Sequence, residues 1–194
     1  EKKPTEILEY VEMIGKSSTN AQDLIARVLE MDESDQSDVK ISLENLDVVM
    51  ALTEVIQQMA ETAKKKEIQI VMDDQSSDNL VSADKTYFKL IFENLLSNAI
   101  KFSKNGKKIR TVISNDSSSI KIAVIDQGPG LNPDEEDQLF KKFSKLSARP
   151  TGGESSSGIG LSLVKRYVEL IGGQVWYEGQ KDVGSTFFVE LPLV

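Results

Sequence analysis

Three polar side chains in the middle of the chain recur at a spacing that places them on one face of a helix. They are Asn94, Asn98 and Lys101, at positions i, i+4 and i+7. Apolar residues recur around them with helical periodicity, namely Phe88, Ile91, Phe92, Leu95, Ala99 and Phe102. Polar groups at the rim of a buried face are costly without partners, but an amide oxygen can bind Mg²⁺ and an ammonium can bind a phosphate. The pattern favours a nucleoside triphosphate with Mg²⁺, although an amphipathic helix whose asparagines cap it or face water has the same spacing.

Three further motifs follow this helix along the chain. They are Asp126-Gln127-Gly128-Pro129-Gly130, Leu139-Phe140-Lys141-Lys142-Phe143 and Gly158-Ile159-Gly160-Leu161. An acid that ends a buried strand can accept a hydrogen bond from a ligand, and the following glycines let the backbone pass close to it. A glycine-rich helix entry presents backbone N–H groups to an anion, although the chain has no Walker G-K-[ST] sequence. An Asp that merely opens a turn is common, so Asp126 indicates a ligand site only in combination with the other three motifs.

The four segments resemble the N box (Asn94–Phe102), first glycine box, F box and second glycine box of sensor histidine kinases, in that family's order. The resemblance covers residues 41–194 closely and residues 1–40 more loosely. It implies that the ligands are ATP and Mg²⁺. It also implies that Asp126 accepts a hydrogen bond from the adenine amino group, that Asn98 is the main Mg²⁺ ligand and that Lys101 contacts a phosphate. Asn94 would be a weaker metal ligand or phosphate contact, so Asn94, Asn98 and Lys101 form the expected catalytic set.

The resemblance implies additional nucleotide contacts outside that set. They are Gly128, Gly130, Lys142, Gly158, Gly160, Leu161 and Thr186. Lys142 stands where the family usually has Arg, and a lysine cannot give the same bidentate contact. Thr186 matches a small polar residue that reaches adenine through water. The loop Ser144–Ser157, rich in Ser, Gly and Lys, would be a lid over the nucleotide that is mobile without it.

The composition narrows the possible functions. The chain has 194 residues and a net charge of −8, which argues against nucleic acid as a partner. It has no cysteine, so disulfides and thiolate metal sites are excluded. Without a long apolar run or a signal-peptide pattern, we expect no membrane contact by this chain and a cytoplasmic location. It has no histidine, so a histidine that accepts phosphate must lie outside it.

The first part of the chain has a heptad pattern over residues 5–31. One position holds Ile7, Ile14, Ala21 and Val28, and the other holds Tyr10, Ser17, Leu24 and Met31. This seam is typical of a helix in a bundle or coiled coil, although the helix could instead pack on its own domain. The resemblance implies the second helix of a dimerisation hairpin, with the phosphoacceptor histidine on a first helix. Residues 1–38 would then be that helix with an acidic linker, Asp32–Asp38, and residues 39–194 the catalytic domain.

The remaining patterns predict strands and helices that do not alternate simply. Strands are expected at Val39–Leu43, Ile68–Met72, Leu80–Ser82, Ile109–Ser114, Ile120–Ile125, Gln174–Tyr177 and Ser185–Leu191. Helices are expected at Leu46–Lys65, along the N box, at Pro133–Phe143 and at Gly158–Ile171. The first of them would bury Leu46, Val49, Met50, Val55, Ile56 and Met59. The fold class is therefore an α/β (α+β) two-layer sandwich, a mixed sheet with helices on one face preceded by an N-terminal helix, which the resemblance identifies with the Bergerat or GHKL fold.

The GHKL superfamily that this chain resembles also contains ATPases, and these differ from the kinases in the residue at one position. Four residues before the N-box Asn98, the ATPases carry a Glu that activates water, but this chain has Asn94. An amide cannot act as a general base, and Glu93 points about 100° away on the helix.

The leading interpretation is a sensor histidine kinase domain that phosphorylates a histidine on the hairpin of the same protein or its dimer partner. A response regulator would then be a partner, and the full-length protein a homodimer. The alternatives are a serine kinase of the anti-sigma-factor class and a nucleotide-gated interaction module without transfer activity.

Overall fold

The computed structural model describes residues 40–144, 146–154 and 156–194. The predicted heptad helix at 5–31 and the acidic linker Asp32–Asp38 lie outside the described residues, so both stay predictions.

A five-stranded mixed sheet forms one layer, as the sequence predicts. Its strands are β2 (Gln69–Asp74), β4 (Lys108–Asn115), β5 (Ser119–Ile125), β7 (Gly184–Pro192) and β6 (Gln174–Gln180), in that spatial order. The pair β2–β4 is parallel, and the other three pairs are antiparallel. Alternate residues of β4 and β5 are fully buried, for example Ile109, Ile113, Ile120 and Ile122. Their side chains therefore fix the register of the sheet, because a slip by one residue would expose them.

Three helices form the second layer: α1 (Val48–Lys65), α2 (Lys85–Phe102) and α3 (Gly160–Leu170). Asp47 caps α1 by accepting from the Met50 amide at 2.9 Å, and Asp84 caps α2 by accepting from the Thr86 amide at 2.8 Å. The buried side of α2 holds Phe88, Ile91, Phe92, Leu95 and Leu96, each fully buried. Burial of each such side chain stabilises the fold by roughly 1.5–3 kcal/mol, so α2 is fixed in position along its length. None of the helices within the described ranges is long and apolar enough to span a bilayer.

The predicted strand at Val39–Leu43 is wrong. The strand is β1 (Glu44–Asp47), and it pairs with β3 (Leu80–Ala83) in a separate two-stranded sheet that the sequence did not reveal. Leu43 is 57% exposed, whereas Leu46 faces Val81 and both are buried. The pairing with a distant strand, rather than the local apolar alternation, decides where the strand lies.

Two helix predictions also need correction. The helix predicted from Leu46 begins at Val48, because Leu46 belongs to β1. Val55 is buried as predicted, but Met50 is 66% exposed, since the buried face of α1 passes through Val48, Ala51 and Leu52. The predicted helix Pro133–Phe143 is only a 3₁₀ helix over Pro133–Gln138. It ends early because the chain turns after Leu139, whose side chain is buried, and Phe143 adopts a φ of 59°.

Candidate nucleotide-binding site

Asn94 connects α2 to the second glycine box. Its side chain is buried, and its Nδ2 donates to the Leu90 carbonyl one turn earlier at 2.7 Å. This bond turns the amide oxygen toward the first residue of α3, where a Cβ added to Gly160 would lie 3.0 Å from Asn94 Oδ1. The N box and the second glycine box, which are far apart in sequence, therefore meet at this contact. The close approach disfavours a side chain at position 160, because the Asn94 amide or α3 would have to shift by a few tenths of an ångström.

Asn98 and Lys101 continue the same helix toward its C-terminus. Both are half-buried, as expected for polar groups at the rim of a packed face. No side-chain hydrogen bond recorded among the described residues involves the Asn98 amide, so its oxygen can serve as a ligand to a hard cation. The described residues contain no cluster of three or more carboxylate, His or Cys side chains that could hold a metal.

Asp126 ends β5 in a buried, hydrogen-bonded position. Its amide donates to the Ser185 carbonyl at 2.8 Å, and its Oδ1 accepts from the amides of Gly128 at 2.8 Å and Ser185 at 3.2 Å. Burial raises the pKa of Asp126 to about 6, although the hydrogen bonds from Gly128 and Ser185 pull it down. The carboxyl group is ionised at pH 7 and is held by bonds to Oδ1. The second oxygen, Oδ2, is thus suited to accept a hydrogen bond from a ligand.

The first glycine box lies against the end of α2. A Cβ added to Gly128 would lie 2.9 Å from Asp126 Oδ1 and 3.2 Å from the Phe102 carbonyl. Gly130 adopts a φ of 61° and packs against the Gln180 carbonyl at the turn between β6 and β7. The structure therefore brings the glycine box to the same end of α2 as Lys101, and it leaves no room for a side chain at position 128 or 130.

The start of α3 offers backbone N–H groups. Its N-cap, Ile159, makes no side-chain capping hydrogen bond, whereas carboxylates cap α1 and α2. Gly158 has a φ of +71°, and a Cβ there would lie 2.5 Å from the Ser144 carbonyl, so the base of the loop closes on the helix entry. Leu161 is half-buried in the first turn. An uncapped helix start, flanked by glycines, suits an anionic group.

Among the described residues, neither Lys142 nor Thr186 makes a side-chain hydrogen bond or ion pair with these groups. Lys142 is exposed, and none of the ion pairs among the described residues includes it. Thr186 pairs with Ile125 in the register of β5 and β7, so strand alternation directs it to the opposite face from Asp126. Its neighbour Ser185 contacts Asp126 instead. The sequence analysis named Thr186 and not Ser185, because the contact of Ser185 depends on the register between β5 and β7.

These features fit an adenine nucleotide. The buried carboxylate of Asp126 and the backbone at Gly128 lie at the C-terminal end of α2, and the uncapped start of α3 lies against Asn94 of the same helix. The half-buried Lys101 lies on the same helix and is a cation suited to a phosphate in a chain whose net charge is −8.

Comparisons with known proteins agree with this geometry. A family model described as histidine kinase-, DNA gyrase B-, and HSP90-like ATPase matches residues 83–194. The chain is 29% identical over 186 residues to the circadian input-output histidine kinase CikA of Synechococcus elongatus, covering 95% of this chain and 25% of CikA. It is 27% identical over 187 residues to the adaptive-response sensory kinase SasA of Prochlorococcus marinus, covering 96% of this chain and 50% of SasA.

Solved structures show the same fold. Full-length ShkA in complex with AMPPNP has a TM-score of 0.83 and 26% identity, covering 99% of this chain and 40% of ShkA. The histidine kinase ThkA in complex with the response regulator protein TrrA has a TM-score of 0.80 and 22% identity, covering all of this chain and 53% of ThkA. The chain thus spans a quarter of CikA and half of SasA. It belongs to the histidine kinase-, DNA gyrase B- and HSP90-like ATPase family, as a catalytic ATP-binding domain of the sensor histidine kinase type.

Proposed function

We propose that this domain binds ATP with Mg²⁺ and transfers the γ-phosphate to a histidine outside residues 1–194. The observation that carries the proposal is Asn94, a buried amide whose nitrogen is committed to the Leu90 carbonyl. It occupies the position where ATPases of the superfamily carry a water-activating Glu, and an amide cannot take a proton from water. The site therefore keeps ATP intact until another nucleophile arrives, and the chain itself contains no histidine.

The residues around α2 divide the binding roles. Asp126 would accept a hydrogen bond from the adenine amino group, with Ser185 beside it in the role expected of Thr186. Asn98 would be the protein ligand of Mg²⁺, with Asn94 next to it as a weaker contact. Lys101 would neutralise phosphate charge. Backbone N–H groups at the start of α3, from Gly158 through Leu161, would contact the phosphates, and the exposed Lys142 would contribute little.

Phosphoryl transfer needs little from the protein beyond positioning and charge neutralisation. An imidazole nitrogen forms a bond to the γ-phosphorus, while the bond between that phosphorus and the β–γ bridging oxygen breaks. The bridging oxygen keeps the electron pair and leaves as part of ADP. Lys101 and the Mg²⁺ held at Asn98 would stabilise the charge that develops there.

The proposed partners follow from the relatives. We propose that residues 1–38 form the second hairpin helix and linker, that residues 39–194 are the catalytic domain, and that the intact protein is a homodimer whose first helix carries the histidine. ThkA was crystallised with the response regulator TrrA, which supports a response regulator as the next acceptor. Because ATP is a cytoplasmic nucleotide, the domain would act in the cytoplasm.

The test is a transfer assay with ATP radiolabelled at the γ-phosphate. The samples are the chain alone, the histidine-bearing hairpin alone, and the two together. We expect acid-labile label on the hairpin only in the mixture, abolished by Asn98→Ala and retained by Asn105→Ala, whose asparagine is exposed in a turn. Rapid phosphate release by the chain alone would favour an ATPase. Acid-stable label on a serine would favour the serine kinase, and nucleotide binding without any label an interaction module.

A further inference from the structure

Lys66 is a buried lysine at the point where α1 ends and α2 ends beside it. It is the C-cap residue of α1 and is 9% exposed. Its Nζ donates to the Ile100 carbonyl at 2.8 Å and to the Lys101 carbonyl at 3.0 Å. Carbonyls in the last turn of a helix have no partner within the helix, and the helix dipole favours a cation there. The ammonium group of Lys66 is therefore stabilised at the C-terminal end of α2, next to the proposed site residue Lys101.

The same ammonium group reaches the loop between the F box and the second glycine box. Its Nζ lies 2.8 Å from Thr151 Oγ1 and 3.1 Å from Glu154 Oε1. The side chains of Lys66 and Glu154 are 11% and 29% exposed, so water screens this ion pair less than a surface pair. The other Glu154 oxygen accepts from the Gly152 amide at 2.8 Å. One buried lysine thus orders Thr151 through Glu154.

Thr151 adds direct bonds between the loop and the end of α2. Its amide donates to the Lys101 carbonyl at 2.9 Å, and its Oγ1 lies 2.6 Å from the Ser103 carbonyl. The intervening Phe102 carbonyl is the group against which Gly128 packs. The loop is therefore bonded to the end of the N box, beside the first glycine box.

A second attachment holds the loop nearer its beginning. The Ser147 hydroxyl donates to Glu135 Oε2 at 2.6 Å, and the Asn132 side-chain amide donates to Ser147 Oγ at 3.0 Å. This contact joins the loop to the 3₁₀ helix. The contact through Lys66 joins the loop to α2, the helix that carries Asn98 and Lys101. The Lys66 contact, together with the direct bonds of Thr151, thus couples the loop to the N box.

We propose that Lys66 is a positioning residue of the nucleotide site: with Thr151 and Glu154 it forms a clasp that holds the loop on the end of α2 and slows nucleotide release. Lys66 touches only protein groups, so it acts through the loop and not on the reacting atoms. The inference rests on the proposed ATP site, and it adds a determinant outside the four sequence boxes. Breaking the clasp should free the loop without altering Asp126 or Asn98.

The experiment compares Glu154→Gln and Thr151→Val with the original chain in two measurements. Hydrogen exchange in the nucleotide-free protein follows the amides of residues 146–154. Stopped-flow fluorescence follows dissociation of a fluorescent ATP analogue with Mg²⁺. We expect faster exchange in this segment and about tenfold faster dissociation for Glu154→Gln, which removes the charge from a partly shielded hydrogen bond, with little change in the association rate. Glu136→Gln and Lys104→Met, both at exposed positions, should match the original chain.

Each outcome bears on the clasp. Unchanged loop exchange in Glu154→Gln would overturn it, whereas faster exchange with unaltered dissociation would overturn its link to the nucleotide. Lys66→Met should give the largest effect. If that variant fails to fold, Glu154→Gln and Thr151→Val still decide the question, because both side chains lie at the edge of the cluster. An original chain that binds no analogue would contradict the proposed function, while its loop exchange would still report whether the clasp exists.

Discussion

The two ends of the site are built in different ways. At the proposed adenine end, Asp126, Gly128 and Ser185 are held by the ladder between β5 and β7 and by bonds from neighbouring amides. At the phosphate end, α2, the start of α3 and the loop each supply groups, and long-range contacts such as Gly160 on Asn94 join them. The proposed adenine end is therefore preformed by the sheet, whereas the proposed phosphate end depends on the relative positions of three separate segments. Changes at the two ends should thus differ in size and kind.

The largest effect should come from the adenine end. In Asp126→Asn the amide can present an NH₂ group where an acceptor is needed. We expect ATP affinity to fall about 100-fold, since a hydrogen bond to a buried charged group is lost and a mismatched donor is left. Isothermal titration calorimetry measures this, with the exposed Asp137→Asn as the matched control. Equal affinity for the original chain and Asp126→Asn would remove Asp126 from adenine recognition.

The pH dependence should identify the same carboxyl group. Because the folded-state pKa of Asp126 is raised from 3.8 to about 6, the stability that its neutral form contributes is present below pH 4 and lost as the pH rises through 6. Nucleotide binding needs the ionised form, so affinity should fall about tenfold between pH 7 and pH 5. The Asp126→Asn variant controls for the protonation of ATP itself. If that variant shows the same pH dependence, the titrating group is elsewhere.

A change at the phosphate end should have a smaller effect. In Gly160→Ala, the new Cβ would lie 3.0 Å from Asn94 Oδ1, so α3 or the amide must shift by a few tenths of an ångström. We expect about a fivefold loss of ATP affinity, because a small displacement weakens several backbone contacts without removing a charged group. AMP affinity should change less than ATP affinity, and Ser157→Ala, at an exposed position, should change neither. An equal loss for AMP and ATP would contradict the division into two ends.

The smallest expected effect is a gain of hydrolysis. Asn94→Glu introduces the base that related ATPases have, but it also places a carboxylate near the Leu90 carbonyl that now accepts from Asn94 Nδ2. The Leu90 carbonyl repels the new carboxylate and keeps it from a good position for activating water. Phosphate release should therefore rise only about two- to threefold, well below the usual 100-fold or more of a well-placed base. Phosphate-release assays with Asn94→Gln as the control measure this. A large increase would show that the lack of a general base at position 94 is by itself what prevents rapid ATP hydrolysis.

The local arrangement around Asp126 follows from the sequence more directly than the arrangement around Asn94. Asp126 and its glycines lie within one local motif, and the alternation in β5 shows where the strand ends, so their arrangement follows from adjacent residues. Ser185 required the register between β5 and β7, which a single strand does not reveal. Lys66 could not be found, because its bonds to Thr151 and Glu154 span 85 and 88 residues and no pattern marks a buried lysine. The strand β1 was misplaced for a similar reason, because its position depends on pairing with β3.

Nucleobase selectivity tests the account most directly. GTP has a carbonyl oxygen where ATP has its amino group, so it would place an acceptor against the Asp126 carboxylate. Calorimetric titration of the chain with ATP and with GTP, each with Mg²⁺ at pH 7.5, compares the two bases on identical phosphates. We expect Mg²⁺-dependent ATP binding and GTP binding at least about 100-fold weaker, with the preference lost in Asp126→Asn. Equal affinity for ATP and GTP would contradict the assignment of Asp126 to adenine and, with it, the division of the site.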